Sequence, residues 1–187
     1  MPSSTPATQQ TSMVLLSQYA GPFSSQTRLS PRLRFLETYT STVDAAPVHP
    51  LSSIPPTRYY LPSATFYNTN GVNYHTADAI WTWMTGLFAP LEYIHHDNIS
   101  LIEFERSAVD ANTGVVKKQW LIHNEAVRCL RMKGWESQGR EEVRIPIFLA
   151  FVIEEAEEGE GIEGLAFKEA HIWWDEKVLG DAFSASK

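Results

Sequence analysis

The stretch "IPIFLAFVI", Ile145–Ile153, is apolar on both of its alternating positions. Its mix of Ile, Phe and Val favours a strand. A strand with one wetted face would alternate apolar and polar residues, and this one does not. Both faces are therefore covered, one by the core and the other by a second subunit. Left open, such a face would be an aggregation hazard, so the sequence predicts a homodimer formed through a sheet.

Further strand-like segments flank this one. Ile99–Arg106 and Val115–Met132 precede it, and Leu165–Trp174 follows. The connections "SAVDANTG", "KGWESQGREE" and an acidic loop are hairpin-like. Upstream the period changes to that of a helix. In "LSPRLRFLETYTSTVDAA" Ser30 is an N-cap, Pro31 suits the first helical position, and Leu33, Leu36, Tyr39 and Val43 form one stripe. A proline-rich link leads to "ATFYNTNG", a short strand ending in the Asn70–Gly71 turn signal. "HTADAIWTWMTGLFAP" is a second helix, capped by Thr76. Helices first and long strands last predict an α+β domain: a curved antiparallel sheet wrapped around N-terminal helices, with an internal pocket.

The 187 residues suffice for one such domain. Residues 1–27, rich in Ser, Thr, Gln and Pro, read as a flexible arm, and 28–187 as the domain. Cys129 is the only cysteine, which excludes an internal disulfide and fits a reducing compartment. The N-terminus lacks a secretory pattern and no segment reaches membrane-spanning length, so a cytoplasmic protein without membrane contact is expected. The net charge of −7 is concentrated in "EEAEEGEGIEG", Glu154–Gly164, read as a solvated loop. Without its six glutamates the remainder sits near −1, and no basic stripe suggests nucleic acid.

The chemistry-bearing stretch is "EYIHHDNISLIEFER", Glu92–Arg106. Neighbouring side chains on a strand point to opposite faces, so His95 and His96 cannot both enter one pocket. With "HHDN" taken as a turn opening a regular strand, His96 shares a face with Ile94, Ile102 and Phe104. His95 shares the other with Asp97, Glu103 and Glu105. The first face is the more apolar, which turns His96 inwards. His123 has Glu125 two residues along, a carboxylate that can tune an imidazole; the alternative is a solvated outer face holding both. "KEAHIWWDE" places His171 on one parity with Glu169 and Asp175. Tyr39 and Tyr67 could bring phenol hydroxyls into the cavity, or be core tyrosines. Metal ligation is not expected, because adjacent strand residues diverge and no HxH or HExxH spacing occurs. No phosphate-binding glycine loop and no nucleophile motif is present.

The order of helix, proline-rich link, "YYLPSATFYNTNG", amphipathic helix, histidine and four long strands resembles the nuclear-transport-factor-2-like superfamily. Within it the chain is similar to the SnoaL-like cyclases and scytalone dehydratase, over roughly residues 28–180. The resemblance implies that the curved sheet is cone-shaped, around a conical pocket that works without a cofactor. The dehydratase pattern has a His at that strand start, a second His on the next strand and a Tyr–Asp pair on the first helix. The matching positions here are His96 or His95, His123, and Tyr39–Thr40. Thr40 stands where the dehydratase has its aspartate, a departure that leaves the shared type of pocket and sets that particular activity aside. The resemblance thus implies a lyase, isomerase or cyclase acting on a hydrophobic polyketide- or terpenoid-type intermediate, as in fungal secondary metabolism. His96, His123 and Glu125 would move protons, and Tyr39, Tyr67, Trp81, Phe104, Trp120 and His171 would shape the substrate site. The alternative is a noncatalytic small-molecule-binding or dimerisation module of the same fold.

Overall fold

A computed structural model describes residues 13–109 and 114–184. Seven strands form one open, curved sheet in the order β1-β4-β5-β6-β7-β2-β3. They are β1 (Met13–Ala20), β2 (Tyr60–Tyr67), β3 (Asn73–His75), β4 (Leu91–Val109), β5 (Val116–Met132), β6 (Val143–Glu155) and β7 (Leu165–Trp174). Helices α1 (Pro31–Asp44) and α2 (Ala77–Phe88) cover the inner face, and α3 (Glu176–Ser184) closes the described chain. The α+β cone expected from the sequence is the observed fold. Every neighbouring pair of strands is antiparallel except β2 and β7, which run parallel.

The caps are those the sequence indicates. Ser30 accepts a hydrogen bond from the Leu33 amide with Pro31 at the first turn, and Thr76 accepts one from the Ala79 amide. Leu33, Leu36, Tyr39 and Val43 are buried against the sheet, joined by Phe35. Aromatic rings dominate the core: Tyr39 meets Phe167 edge-on at 4.9 Å, and Phe151 stacks on Phe167 at 4.6 Å. Each such contact adds about 0.5–1.5 kcal/mol beyond its buried area.

Three expectations need correction. First, the segment expected to be a flexible arm contains β1, which pairs antiparallel with β4 from Met13 opposite Arg106 to Ala20 opposite Ser100. Residues 1–12 of that segment lie outside the described residues. A buried carboxylate holds the strand: Glu103 of β4, 1% exposed, accepts hydrogen bonds from Ser17 of β1, Ser30 at the α1 cap, and Arg32. Second, "HHDN" is no turn, because β4 runs through it from Leu91. Third, the acidic loop is docked. Arg34 pairs with Glu163 at 2.5 Å, the Gly161 amide donates to Thr57 O at 3.0 Å, and Ile162 packs on the core.

Gly161 has φ +72°, and a Cβ there would overlap Leu165 O. Both the backbone conformation and the space demand glycine. Gly161→Ala is expected to cost about 1–3 kcal/mol through strain at that φ and displacement of the loop, seen as a lower denaturation midpoint. Alanine at Gly159, where a Cβ would meet nothing within 4 Å, serves as the control for positive φ alone.

Candidate active site

The inner face of the sheet and the two long helices enclose a cavity lined mainly by apolar side chains, among them Phe66, Met84, Leu87, Phe151 and Ile172. Its polar lining comes from α1, β4 and β5. Asp44 is the last residue of α1, and its carboxylate meets the inner face of β4 at His96. The His96 Nδ1–Asp44 Oδ1 distance is 2.5 Å, and the His96 amide also donates to Asp44 Oδ2 at 3.3 Å. Arg128, directly opposite His96 on β5, donates from Nε to His96 Nε2 at 2.8 Å.

These contacts fix the tautomer. A guanidinium only donates, so His96 Nε2 must be the accepting nitrogen. The proton then sits on Nδ1 and is donated to Asp44. Burial, and next the charge of Arg128, holds the His96 pKa below its ordinary value of 6.5, against the opposing pull of Asp44. His96 is therefore a neutral imidazole at neutral pH, oriented by a carboxylate. Burial also lowers Arg128 to about 10, which leaves it charged. Its guanidinium lies over the rings of Trp174, at 5.0 Å, and Phe88, at 5.8 Å.

Two further polar groups border the cavity. Tyr39 shares a 2.7 Å hydrogen bond with Tyr60, and burial pushes its phenol up to about 12, so it stays protonated. Asn124, one inward position before Ala126 and two before Arg128, donates from Nδ2 to Asn98 Oδ1 at 2.9 Å. Its own Oδ1 is buried with no hydrogen-bond partner. Among the described residues, no group of three or more His, Cys, Asp and Glu comes together as metal ligands.

The structure brings together only part of the set expected from the sequence. His96 and Tyr39 line the cavity. The inward orientation of His96 has a different cause from the one expected, however. A bulge in β4 between Asn98 and Ser100 shifts the register, so the face of His96 continues through Leu101 and Glu103. Ile102 and Phe104 lie on the opposite, outer face. There Phe104 meets His123 at 5.4 Å, and His123 meets Phe148 at 5.6 Å. Glu125 is exposed on the same side, next to Ser100. Tyr67 stacks on His171 at 4.2 Å, and His171 on Trp173, again outside the cavity. Trp81 is a core residue that donates to Leu51 O, and Trp120 lies beneath Arg32 towards the far end of β5.

Sequence reasoning missed Asp44, Arg128 and Asn124. Asp44 lies one helical turn beyond Thr40, on the same side of α1, within reach of a search extended by one turn. Arg128 and Asn124 interrupt the apolar series Trp120, Ile122, Ala126 and Leu130, and polar residues on a buried parity are the signal that would have exposed them.

No family model matches the sequence, and no curated protein matches it either. Solved structures do. A SnoaL-like polyketide cyclase candidate from Shewanella denitrificans OS-217 superposes with a TM-score of 0.51 at 13% identity, covering 83% of this chain and 99% of that one. Aln2 from a Streptomyces species gives 0.52 at 11% identity, covering 81% and 97%. Hexachlorocyclohexane dehydrochlorinase LinA-type3 from Novosphingobium barchaimii LL02 gives 0.50 at 8% identity, covering 81% and 91%. At such identities the likeness speaks for the fold alone: this chain shares the cone-shaped α+β fold of these proteins.

Proposed function

We propose that the protein is a cofactor-independent lyase, isomerase or cyclase acting on a hydrophobic polyketide- or terpenoid-type intermediate, with His96 as its base. One observation carries the reading: a buried neutral imidazole in the wall of an apolar cavity is held at Nδ1 by Asp44, and its basic Nε2 is capped only by Arg128, a second residue of that wall. Nε2 would take a proton from a carbon or oxygen acid, and Asp44 would stabilise the resulting imidazolium. The electron pair left on the substrate can move into an adjacent carbonyl, attack a second carbonyl to close a ring, or expel a leaving group. Tyr39 is a protonated donor in the same cavity. The names of the structural neighbours, a dehydrochlorinase and a cyclase candidate among them, agree with this class of chemistry. A carboxylate contributed by the first helix also favours catalysis over the binding-module alternative.

The test is exchange of the acidic C–H protons of 2-tetralone, a hydrophobic ketone, into deuterium oxide. Exchange catalysed by the native protein and lost in His96→Ala supports the reading. Exchange no faster than in buffer sinks it.

We also propose a homodimer through the outer face of β4–β7. There Phe148 and Trp173 are 39% and 48% exposed within an aromatic band that includes His123 and His171. Sedimentation at micromolar concentration should show a dimer, and Phe148→Glu a monomer with an intact fold. A native monomer would overturn the proposal. Among the described residues, no helix is long and apolar enough to cross a membrane.

A further inference from the structure

We infer that the cavity is built for a substrate bearing an ionised oxygen, a carboxylate or phenolate, and a hydroxyl elsewhere on the same molecule: Arg128 takes the anion and Asn124 the hydroxyl, and taking the anion frees Nε2 of His96. The inference rests on the reading of this cavity as a proton-transfer site.

Arg128 is the reason. Arg28, Arg32, Arg34, Arg131 and Arg144 each pair directly with a carboxylate. Arg128, buried at 6% exposure, does not. Among the described residues its guanidinium has one hydrogen-bond partner, the neutral imidazole of His96. A guanidinium carries five N–H donors, and a buried cation without an anion is costly unless something compensates it. Nearby Asp44 is engaged by His96 at Nδ1 and at the amide, and by His95 Nδ1 at 3.3 Å. The terminal nitrogens of Arg128 are thus donors awaiting an acceptor in the cavity wall. A carboxylate matches that fork in two parallel bonds.

Asn124 supplies an independent observation. It is 2% exposed, it lines the same cavity, and its Oδ1 lacks a partner. A buried acceptor left unmade carries the full penalty of its lost hydration, and a ligand hydroxyl donating to it recovers that cost. Asn124 and Arg128 project from the same face of β5 on either side of Ala126, roughly 13 Å apart at the backbone, and both line this cavity, so one molecule lying along it can meet both.

The second half follows from the Nε–Nε2 bond. While Arg128 donates to Nε2, that lone pair accepts no proton; a neutral ketone such as 2-tetralone meets the free base only in the fraction of time this bond is open, and an anion on the guanidinium holds it open. An anionic oxygen competes for the guanidinium far better than a neutral imidazole does. The free cavity volume is about 30 Å³, room for a small number of water molecules, so binding of a larger molecule must also turn lining side chains aside. Met84, an unbranched thioether, is the most adaptable of them. Substrate binding and exposure of the base then become one event.

Salicylate and its neutral counterpart salicylamide are suitable probes for the full-length protein, with calorimetry as the readout. Salicylate should bind at least about 10-fold more tightly, the difference expected from a charge-assisted bond. That preference should vanish in Arg128→Met and persist in part in Arg128→Lys. In ¹⁵N-histidine-labelled protein, saturation with salicylate should shift the His96 Nε2 resonance towards that of an unbonded imidazole nitrogen. Equal binding of the two probes, binding of neither at millimolar concentration, or a preference that survives Arg128→Met would overturn the anion receptor. An unmoved Nε2 resonance at saturation would overturn the release of the base. Binding is read without turnover, so failure here leaves tetralone exchange intact, and failure of exchange leaves the anion preference intact.

Discussion

His96→Ala should lower tetralone exchange by about 10²–10⁴-fold, the usual contribution of a positioned general base, while the denaturation midpoint moves little. Asp44→Asn should lose a large part of the same factor, because the amide cannot stabilise the imidazolium. His95→Ala should lose little: His95 is half exposed and touches Asp44 and Asp97 only at 3.3 and 3.1 Å. The pH profile follows from the direction of the His96 shift. Because its folded pKa is below 6.5, the basic form persists beneath that pH, and the acid limb of the rate should fall below 6.5. Stability runs the same way. An unfolded histidine takes up its proton near 6.5 while the buried one resists, so stability is full above that pH. It is lost as pH falls through 6.5 towards the lower folded value. His96→Gln should flatten that part of the stability curve. An acid limb above 6.5, or one that survives His96→Gln, would remove His96 from the base role.

Glu103→Ala should destabilise the protein by about 3–5 kcal/mol, the typical cost of leaving one partner of a buried pair uncompensated. Arg32 would keep its charge without a carboxylate, and Ser17 and Ser30 would lose their acceptor. For a domain of this size that corresponds to a fall in melting temperature of roughly 10 °C. The double variant Arg32→Met/Glu103→Leu should recover most of the loss, since an apolar pair of similar volume often replaces a buried ion pair without penalty. A loss below about 1 kcal/mol for the single variant would mean that Arg32, 21% exposed, satisfies itself in water. The same contact bears on truncation. From composition alone, removal of the first 25 or so residues should leave the domain intact. Because Ser17 and β1 are tied to Glu103, such a truncation should instead lower the melting temperature, whereas removal of residues 1–12 alone leaves this contact in place.

Local signals carry much of this fold. The caps at Ser30 and Thr76, the stripe on α1, and strands β5–β7 are set by neighbours within a few residues, and each is readable in the chain. Features that depend on distant partners are not. The bulge at Asn98–Ser100 has no marking in "HHDNISL", yet it moves Ile102, Phe104 and Glu103 to the faces opposite those that regular alternation gives them. β1 looks like a polar tail until Glu103 and the edge of β4 are placed beside it. The resemblance draws His123 towards the site, although the alternation of β5 puts it outside. The resemblance also asks for an acid on the first helix at Thr40, and geometry finds it a turn later at Asp44. Arg128 is legible as an anomaly of pattern, but its partner, the histidine opposite on β4, emerges only from strand pairing.

The strand order has a consequence for how the chain is made. β4 to β7 are consecutive hairpins, so their contacts close short loops. β1 must find β4 from Met13 to Arg106, and β2 must find β7 from Tyr67 to His171. Closing loops of that length is slow compared with forming a hairpin. During synthesis the two helices and the flanking strands leave the ribosome before any of the meander they pack upon. For that interval the apolar faces of α1 and α2 have nothing to cover them, which makes the nascent N-terminal half a natural client for chaperones and the step at which expression is most easily lost.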